Sequence, residues 1–360
     1  MACWMMAWAV VSASTAGVKD YAGMVSVRFI LGIVEAPFYP GALYLMSLFY
    51  TRKELATRIA LLYSGNIIAT ACSGLIAAAT FASIDGAHGL AGWQWLFIIE
   101  GIVTFSVAAA AIFLLPDHPL KTKWLTPEER ELAHSRIERD TVALGKSKGP
   151  IEGFKQAVRD PRLYLMVIMQ NLHLSACGFN SFFPTVVGSL GYSSTITLVL
   201  SCPPYLFSAI AGILVSMSSG RRNERTWHIT ICCFVGLIGF IISCVTLNRG
   251  ARYVSCFLFA AGAYASNSII LGWVSATLGQ TGEKKAASLS IVNTIANASF
   301  AYTPFLYPKS DGPRYLIAMS ANSAFVVCTA ICAWILRLWL SRQNAAMRRS
   351  NAQTRTFYAY

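Results

Sequence analysis

Residues 21–49 read YAGMVSVRFILGIVEAPFYPGALYLMSLF. Within these 29 residues the formal charges are Arg28 and Glu35 alone. A helix of about 20 largely apolar residues crosses the hydrocarbon core of a bilayer, so this stretch is long enough to span one. Pro37 and Pro40 each remove a backbone donor, which predicts a kink or a tilt in the span.

Outward from this stretch, comparable apolar runs occupy 1–17, 55–82, 93–115, 163–187, 195–218, 227–247, 252–278, 285–307 and 315–340, giving ten expected spans. The composition agrees. Of 360 residues, 55% are hydrophobic and 12% charged, against about 25% charged in an average soluble domain. Mean hydropathy is +0.53. There is too little charge to coat a soluble exterior, which makes an all-α polytopic membrane bundle the expected class. Disorder and a secreted disulfide scaffold are disfavoured by the same figures. The ten cysteines lie mostly within apolar runs and show no C-x-x-C spacing, so they read as small buried thiols.

The formal charge of +13 is a topology signal. Of 29 Lys and Arg residues, 23 fall in loops on one side of the alternating spans, five fall on the other, and Arg28 lies inside a span. Basic loops stay cytoplasmic. Both termini and the long loop 116–162 are therefore expected in the cytoplasm, and the charge argues for no nucleic-acid partner. That loop divides a four-span bundle (1–115) from a six-span bundle (163–341), with a basic tail at 342–360. Inside it, Thr126-Pro127-Glu128-Glu129 predicts a capped helix start, since Thr suits the N-cap and Glu129 can complete a capping box. A mixed-charge surface helix to about Asp140 follows, and then a flexible Gly145–Gly149 stretch.

Ionisable groups at membrane depth are costly and mark pathways or coupling sites by default. Arg28 and Glu35 stand seven residues apart, two helical turns, so they share one stripe of the helix. An Arg can hold an anion through paired hydrogen bonds. A Glu in partly apolar surroundings can take and release a proton near neutral pH. The bland alternative is an ion-pair network that merely ties helices together. Tyr39 sits in the Pro37–Gly41 stretch that interrupts the regular backbone, and is added as a candidate substrate contact. Gln170, Asn171 and Asn180 share another span, and Asn66, Asn293 and Asn297 place amides in others. These are candidate cavity contacts, with interhelical hydrogen bonding as the alternative. Glu100 reads as interfacial, and His173 as a structural polar group or a proton carrier. No H-E-x-x-H, G-x-S-x-G or phosphate-loop motif occurs, and the five histidines are scattered. No catalytic residue, metal site or cofactor is expected.

The run Arg28-Phe29-Ile30-Leu31-Gly32-Ile33-Val34-Glu35-Ala36-Pro37-Phe38-Tyr39-Pro40-Gly41 resembles the fourth span of major facilitator transporters. The closest branch is the anion:cation symporters, specifically the fungal allantoate and nicotinate permease group. Glu54 to Arg58, Gly89 to Gly101, Leu115 to Pro119, Leu125 to Arg130 and Gly279 to Asn297 extend the resemblance over nearly the whole chain. It implies a proton-coupled, monomeric plasma-membrane carrier of a small organic anion (a carboxylate, ureide or vitamin), with Arg28 on the anion and Glu35 on the proton. It also implies twelve spans, of which the first two have no counterpart here. In the family it resembles, the first span supplies the groups that pair with the Arg and Glu matched here by Arg28 and Glu35. A non-transporting membrane protein, a remnant or an interaction partner, is the alternative expectation. The family motif after the eighth span keeps its basic residues at 219–225, but Gly220 stands where an Asp is expected.

Overall fold

The computed structural model describes residues 1–116, 118–122, 125–140, 149–188, 191, 194–350 and 357–360, and every regular element among them is helical. The chain divides into two compact units, one of residues 1–48 and 72–134, the other of 49–71 and 135–360.

The first unit begins with α1 (Ala2–Ser14), α2 (Tyr21–Glu35) and α3 (Phe38–Phe49). Asp20 starts α2 by accepting a hydrogen bond from the Gly23 amide at 2.7 Å, the usual work of an N-cap. The break expected in the 21–49 stretch falls at Ala36 and Pro37. It is confined to one turn, because the Ala36 amide still reaches the Gly32 carbonyl and the Gly41 amide reaches that of Pro37, both at 3.1 Å. α4 (Arg52–Ile84) is divided between the units, and α5 (Gly92–Leu114) packs on α1. A β-carbon on Gly101 would come within 2.7 Å of that of Ala13, so a small residue is what lets these two helices touch. Gln94 staples the same pair. Its Oε1 accepts from the Ala91 amide at 2.8 Å, and its Nε2 donates to the Ala16 carbonyl at 2.7 Å. The Gly89–Gly101 motif is thus explained largely by packing.

α6 (Pro127–Asp140) starts with the anticipated box. The Thr126 amide donates to Glu129 at 2.8 Å, and the Glu129 amide donates to the Thr126 hydroxyl at 3.3 Å. Gly145–Lys148 lie outside the described residues. Beyond them α7 (Pro150–Val158) is a second helix of the loop that the sequence reading did not anticipate, and its Gly153 lies hard against Glu283.

The second unit continues through α8 (Pro161–Ala176), α9 (Phe183–Gly188), α10 (Ser194–Arg222), α11 (Thr226–Val245), α12 (Arg249–Thr277), α13 (Gly282–Asn297), α14 (Ser299–Tyr302) and α15 (Leu316–Ser350). Its core is α12, buried almost continuously from Phe259 to Val274. The run Ala260-Ala261-Gly262-Ala263 explains this, since small residues let α11 approach closely. Pro203 and Pro204 lie inside α10 and leave the carbonyls of Val199 and Leu200 without helical donors. The Tyr253 hydroxyl supplies one, donating to the Leu200 carbonyl at 3.1 Å.

Among the described residues, seven helical stretches are long and apolar enough to cross a membrane: 21–49, 53–77, 92–114, 199–222, 226–245, 249–277 and 316–349. The remaining three expected spans are shorter or interrupted. Residues 2–17 are a short apolar helix. The 163–187 span is split by 3-10 turns over Cys177–Phe182, and the 285–307 span ends in α14 and a 3-10 turn at Thr303–Leu306. Gly178 and Pro304 stand at those two interruptions. Length and apolarity alone define the expected spans, and neither registers these breaks.

Candidate functional site

The first unit carries the charged pair. Arg28 and Glu35 both lie on α2, no residue of which is buried. No hydrogen bond or ion pair joins them among the described residues. The Arg28 guanidinium instead lies 5.8 Å from the centre of the Phe97 ring on α5, a cation–π distance. An Arg held by a ring face and not by a carboxylate keeps its N–H groups available for an anion. Tyr39, on α3, is half-buried.

The second unit carries most of the amides, and the structure brings them together in pairs. Gln170 on α8 is buried and donates from Nε2 to Asn267 Oδ1 on α12 at 2.7 Å. Asn171 donates to the Ile295 carbonyl at 2.9 Å and accepts from the Tyr302 hydroxyl at 2.9 Å, while Tyr302 and Ser175 oxygens lie 2.6 Å apart. Asn180 accepts from the Tyr205 hydroxyl at 2.8 Å. Asn297 caps its own helix, with Nδ2 on the Asn293 carbonyl at 2.8 Å and on Asn293 Oδ1 at 3.1 Å. Asn66 is exposed on α4 and is not brought to this group. His173 is fully buried, with Cys177 Sγ 3.9 Å from its ring nitrogen, and Glu100 is exposed.

The tyrosines are what the sequence reading missed. Tyr205, Tyr264 and Tyr63 lie in one aromatic cluster with Phe179, Phe183 and Phe259, at ring separations of 4.7 to 6.1 Å. Hydroxyl-bearing rings inside apolar runs were the available signal, since a buried Tyr O–H seeks a partner.

A second set of charges sits at the bundle end where α8 and α13 begin. Asp160 takes hydrogen bonds from Arg162 Nη2 at 2.6 Å, Arg162 Nε at 2.9 Å and Lys284 Nζ at 2.7 Å. All three residues are buried. Burial pushes the Asp160 carboxyl up, but these two cations outweigh it and hold the group at about 2. Burial works against the Arg162 charge too, and the Asp160 and Tyr358 contacts more than restore it. Nearby, the 219–225 motif closes on itself. Glu224 accepts from His228 at 3.0 Å and from Arg337 at 2.9 Å, and fully buried Arg225 donates to Ser219 Oγ at 2.9 Å. Gly220 lies against the Lys53 carbonyl, where no side chain fits. That contact accounts for the glycine at the motif's expected Asp.

The chain end folds back onto this same face. Trp273 Nε1 donates to the Ala359 carbonyl at 2.9 Å, and Asn344 pairs with both backbone groups of Tyr358 at 2.9 and 3.0 Å. The tail's rings lie under arginines: Tyr358 under Arg162, Tyr360 under Arg337 and Phe357 under Arg348, at 4.8 to 5.1 Å.

Helical architecture and long apolar stretches define a polytopic membrane-protein class, and comparison with known proteins makes it specific. The family model for the Major Facilitator Superfamily matches residues 1–304. An uncharacterized transporter of Schizosaccharomyces pombe is 31% identical over 342 residues, 94% of this chain and 70% of its own length. The major facilitator-type transporter hxnP of Emericella nidulans is 31% identical over 345 residues, 94% of this chain and 68% of its own. Among solved structures, the proton:xylose symporter XylE superposes with a TM-score of 0.68 at 16% identity, over 92% of this chain and 79% of that one. The Escherichia coli fucose:proton symporter FucP gives 0.57 at 9% identity, covering 93% and 83%. The chain belongs to the Major Facilitator Superfamily. It is an integral membrane protein with the helical-bundle fold of that family's transporters.

Proposed function

We propose that the protein is a proton-coupled carrier of a small organic anion, of the anion:cation symporter branch, working by alternating access. The observation that carries this reading is the α2 pair. Arg28 rests on the Phe97 ring 5.8 Å away and not on a carboxylate, so its donors are available to an anionic substrate. Glu35, two turns along, is placed to feel whether that anion is bound. An anion arriving at Arg28 lowers the local positive potential and makes protonation of Glu35 easier, which links the two loads. Within the second unit, the amide and tyrosine pairs Gln170–Asn267, Asn171–Tyr302 and Asn180–Tyr205 offer neutral donors and acceptors of their own. The excess of basic residues on one set of loops supports cytoplasmic termini, with the plasma membrane as the site of uptake.

Uptake of radiolabelled carboxylates into proteoliposomes under an inward proton gradient tests this. The wild-type chain is expected to accumulate label with the gradient and to lose it when the gradient is collapsed. Arg28→Ala is expected to lower uptake about ten- to hundredfold, the loss of a charge-assisted contact. Glu35→Gln is expected to transport at a rate the gradient no longer changes. Proton-independent transport of equal size in wild type and Glu35→Gln would overturn the mechanism.

One observation favours a second reading, a membrane protein that does not transport. No residue of α2 is buried, so Arg28 and Glu35 both stand exposed among the described residues. Wild-type proteoliposomes with no uptake of any tested anion, from protein that elutes as a folded species, would select it.

A further inference from the structure

Beside the Asp160 cluster the second unit holds a cavity of about 800 Å³, well within the range of small-molecule pockets. Its walls come from the starts of α8 and α13, the end of α15 and the returning tail. The charges on those walls do not balance. Arg159, Arg162 and Lys284 line it, against the single carboxylate of Asp160. Two buried cations therefore share one buried anion, which leaves an excess positive charge in a setting where uncompensated charge is expensive. Lys284 gives Asp160 one hydrogen bond at 2.7 Å and has two further N–H donors. Arg159 adds an exposed guanidinium at the rim, with no ion pair among the described residues. The wall also holds a buried acceptor with nothing to accept. Gln280 Oε1 is without a partner, while its Nε2 donates to the Thr277 carbonyl at 2.7 Å.

Excess cationic donors together with one orphaned neutral acceptor describe a ligand that is anionic at one end and hydroxylated at the other. We propose that this cavity is a binding site for a hydroxylated phosphate monoester, held by Lys284 and Arg159 through its phosphate and by Gln280 through a hydroxyl. Phosphate suits the site because it offers several acceptor oxygens to donors converging from different walls. Arg162 donates from Nε and Nη2 to Asp160 and from Nη1 to Gln343 Oε1 at 3.2 Å, which fixes the wall beside Lys284. The ring of Tyr358, 5.1 Å from Arg162, makes the tail one wall of the site, so ligand and tail dock together. The site is separate from Arg28 and Glu35, which belong to the other unit, and it stands whether or not the transport reading does.

The same chemistry is found in a soluble sugar phosphate and in an inositol lipid headgroup, and the test separates them. The purified full chain in phosphatidylcholine nanodiscs is titrated with glucose 6-phosphate, following its unfolding temperature. A parallel sample uses nanodiscs doped with phosphatidylinositol 4-phosphate. Saturable stabilisation by the sugar phosphate assigns a soluble ligand, and stabilisation in the doped discs alone assigns a lipid. In either case Lys284→Gln, which leaves Arg162 and Asp160 balanced, is expected to weaken binding about tenfold or more, and Lys284→Arg to restore it. Arg159→Gln, at an exposed position, is expected to weaken binding severalfold without touching the fold. No stabilisation in either arm, or binding undiminished in both Lys284→Gln and Arg159→Gln, would overturn the proposal.

Discussion

Replacing Gly262 with leucine is expected to stop the protein from accumulating in folded form. Gly262 lies in the most buried stretch of α12, and a β-carbon there would sit 2.5 Å from both the Cys232 carbonyl oxygen and the Gly236 amide nitrogen of α11. These are backbone atoms of a packed helix, so no side-chain rotation relieves the clash, and the helices must separate. Separation undoes more than one contact. Gly239 makes a matching approach further along, where a β-carbon would lie 2.6 Å from the Phe259 amide nitrogen, and the Ser243 and Ser255 hydroxyls bond at 2.7 Å beyond it. Overpacking by a methylene or two costs about 1–3 kcal/mol, and leucine adds a whole side chain against backbone. About 3 kcal/mol or more is a large share of the roughly 5–15 kcal/mol that stabilises a typical domain. Size-exclusion of detergent-solubilised protein should show the monodisperse peak lost. Gly65→Leu is the control, since nothing stands within 4 Å of a β-carbon there, and it should elute like wild type. Equal elution and melting of Gly262→Leu and wild type would refute the close-packed seam.

Asp160→Asn is expected to destabilise the second unit nearly as much, with a distinctive dependence on pH. The carboxylate is the shared partner of Arg162 and Lys284. Its neutral replacement leaves two buried cations facing each other, and removing one partner of a buried pair costs about 3–5 kcal/mol. The sign in pH follows from the carboxyl standing at about 2 in the folded chain against the ordinary 3.8. A lowered carboxyl binds protons less readily folded than unfolded, so its contribution is complete above pH 4 or so. It is lost as pH falls from there towards 2. Wild-type melting temperature should therefore drop through that window, and Asp160→Asn should melt several degrees lower at neutral pH with a flatter acid limb. A variant that melts with wild type at pH 7 would show the cluster to be energetically idle.

The parts of the fold that were legible in the sequence are those set by local chemistry. Apolar length marks the spans, Pro37 marks the break after Glu35, and Thr126 with Glu129 marks the start of α6. Each depends on residues a few positions apart. The interruptions at Cys177–Phe182 and Thr303–Leu306 were less legible because they depend on how neighbouring segments pack. A β-carbon on Gly178, for instance, would lie 2.6 Å from that of Thr303. The candidate site shows the same division. Arg28 and Glu35 could be paired by counting turns along one helix. Asn171 finds Tyr302 across 131 positions, and Lys284 finds Asp160 across 124; no periodicity links residues so far apart. Asp160, Arg162 and Lys284 read in the sequence as loop charges, and Lys284 as one more count in the tally of basic residues. Their burial is a property of the folded bundle end.

The returning tail has a consequence for the order in which the protein is made. Trp273 is fully buried, and its indole N–H is satisfied by the Ala359 carbonyl, 86 residues later in the chain. A ribosome delivers α10, α11 and α12 well before Phe357–Tyr360, so this face of the bundle waits with an unsatisfied donor and uncovered arginine faces until those residues emerge. A segment made late thus closes a gap left by helices made earlier. A reporter or affinity handle joined directly to Tyr360 loads that late step.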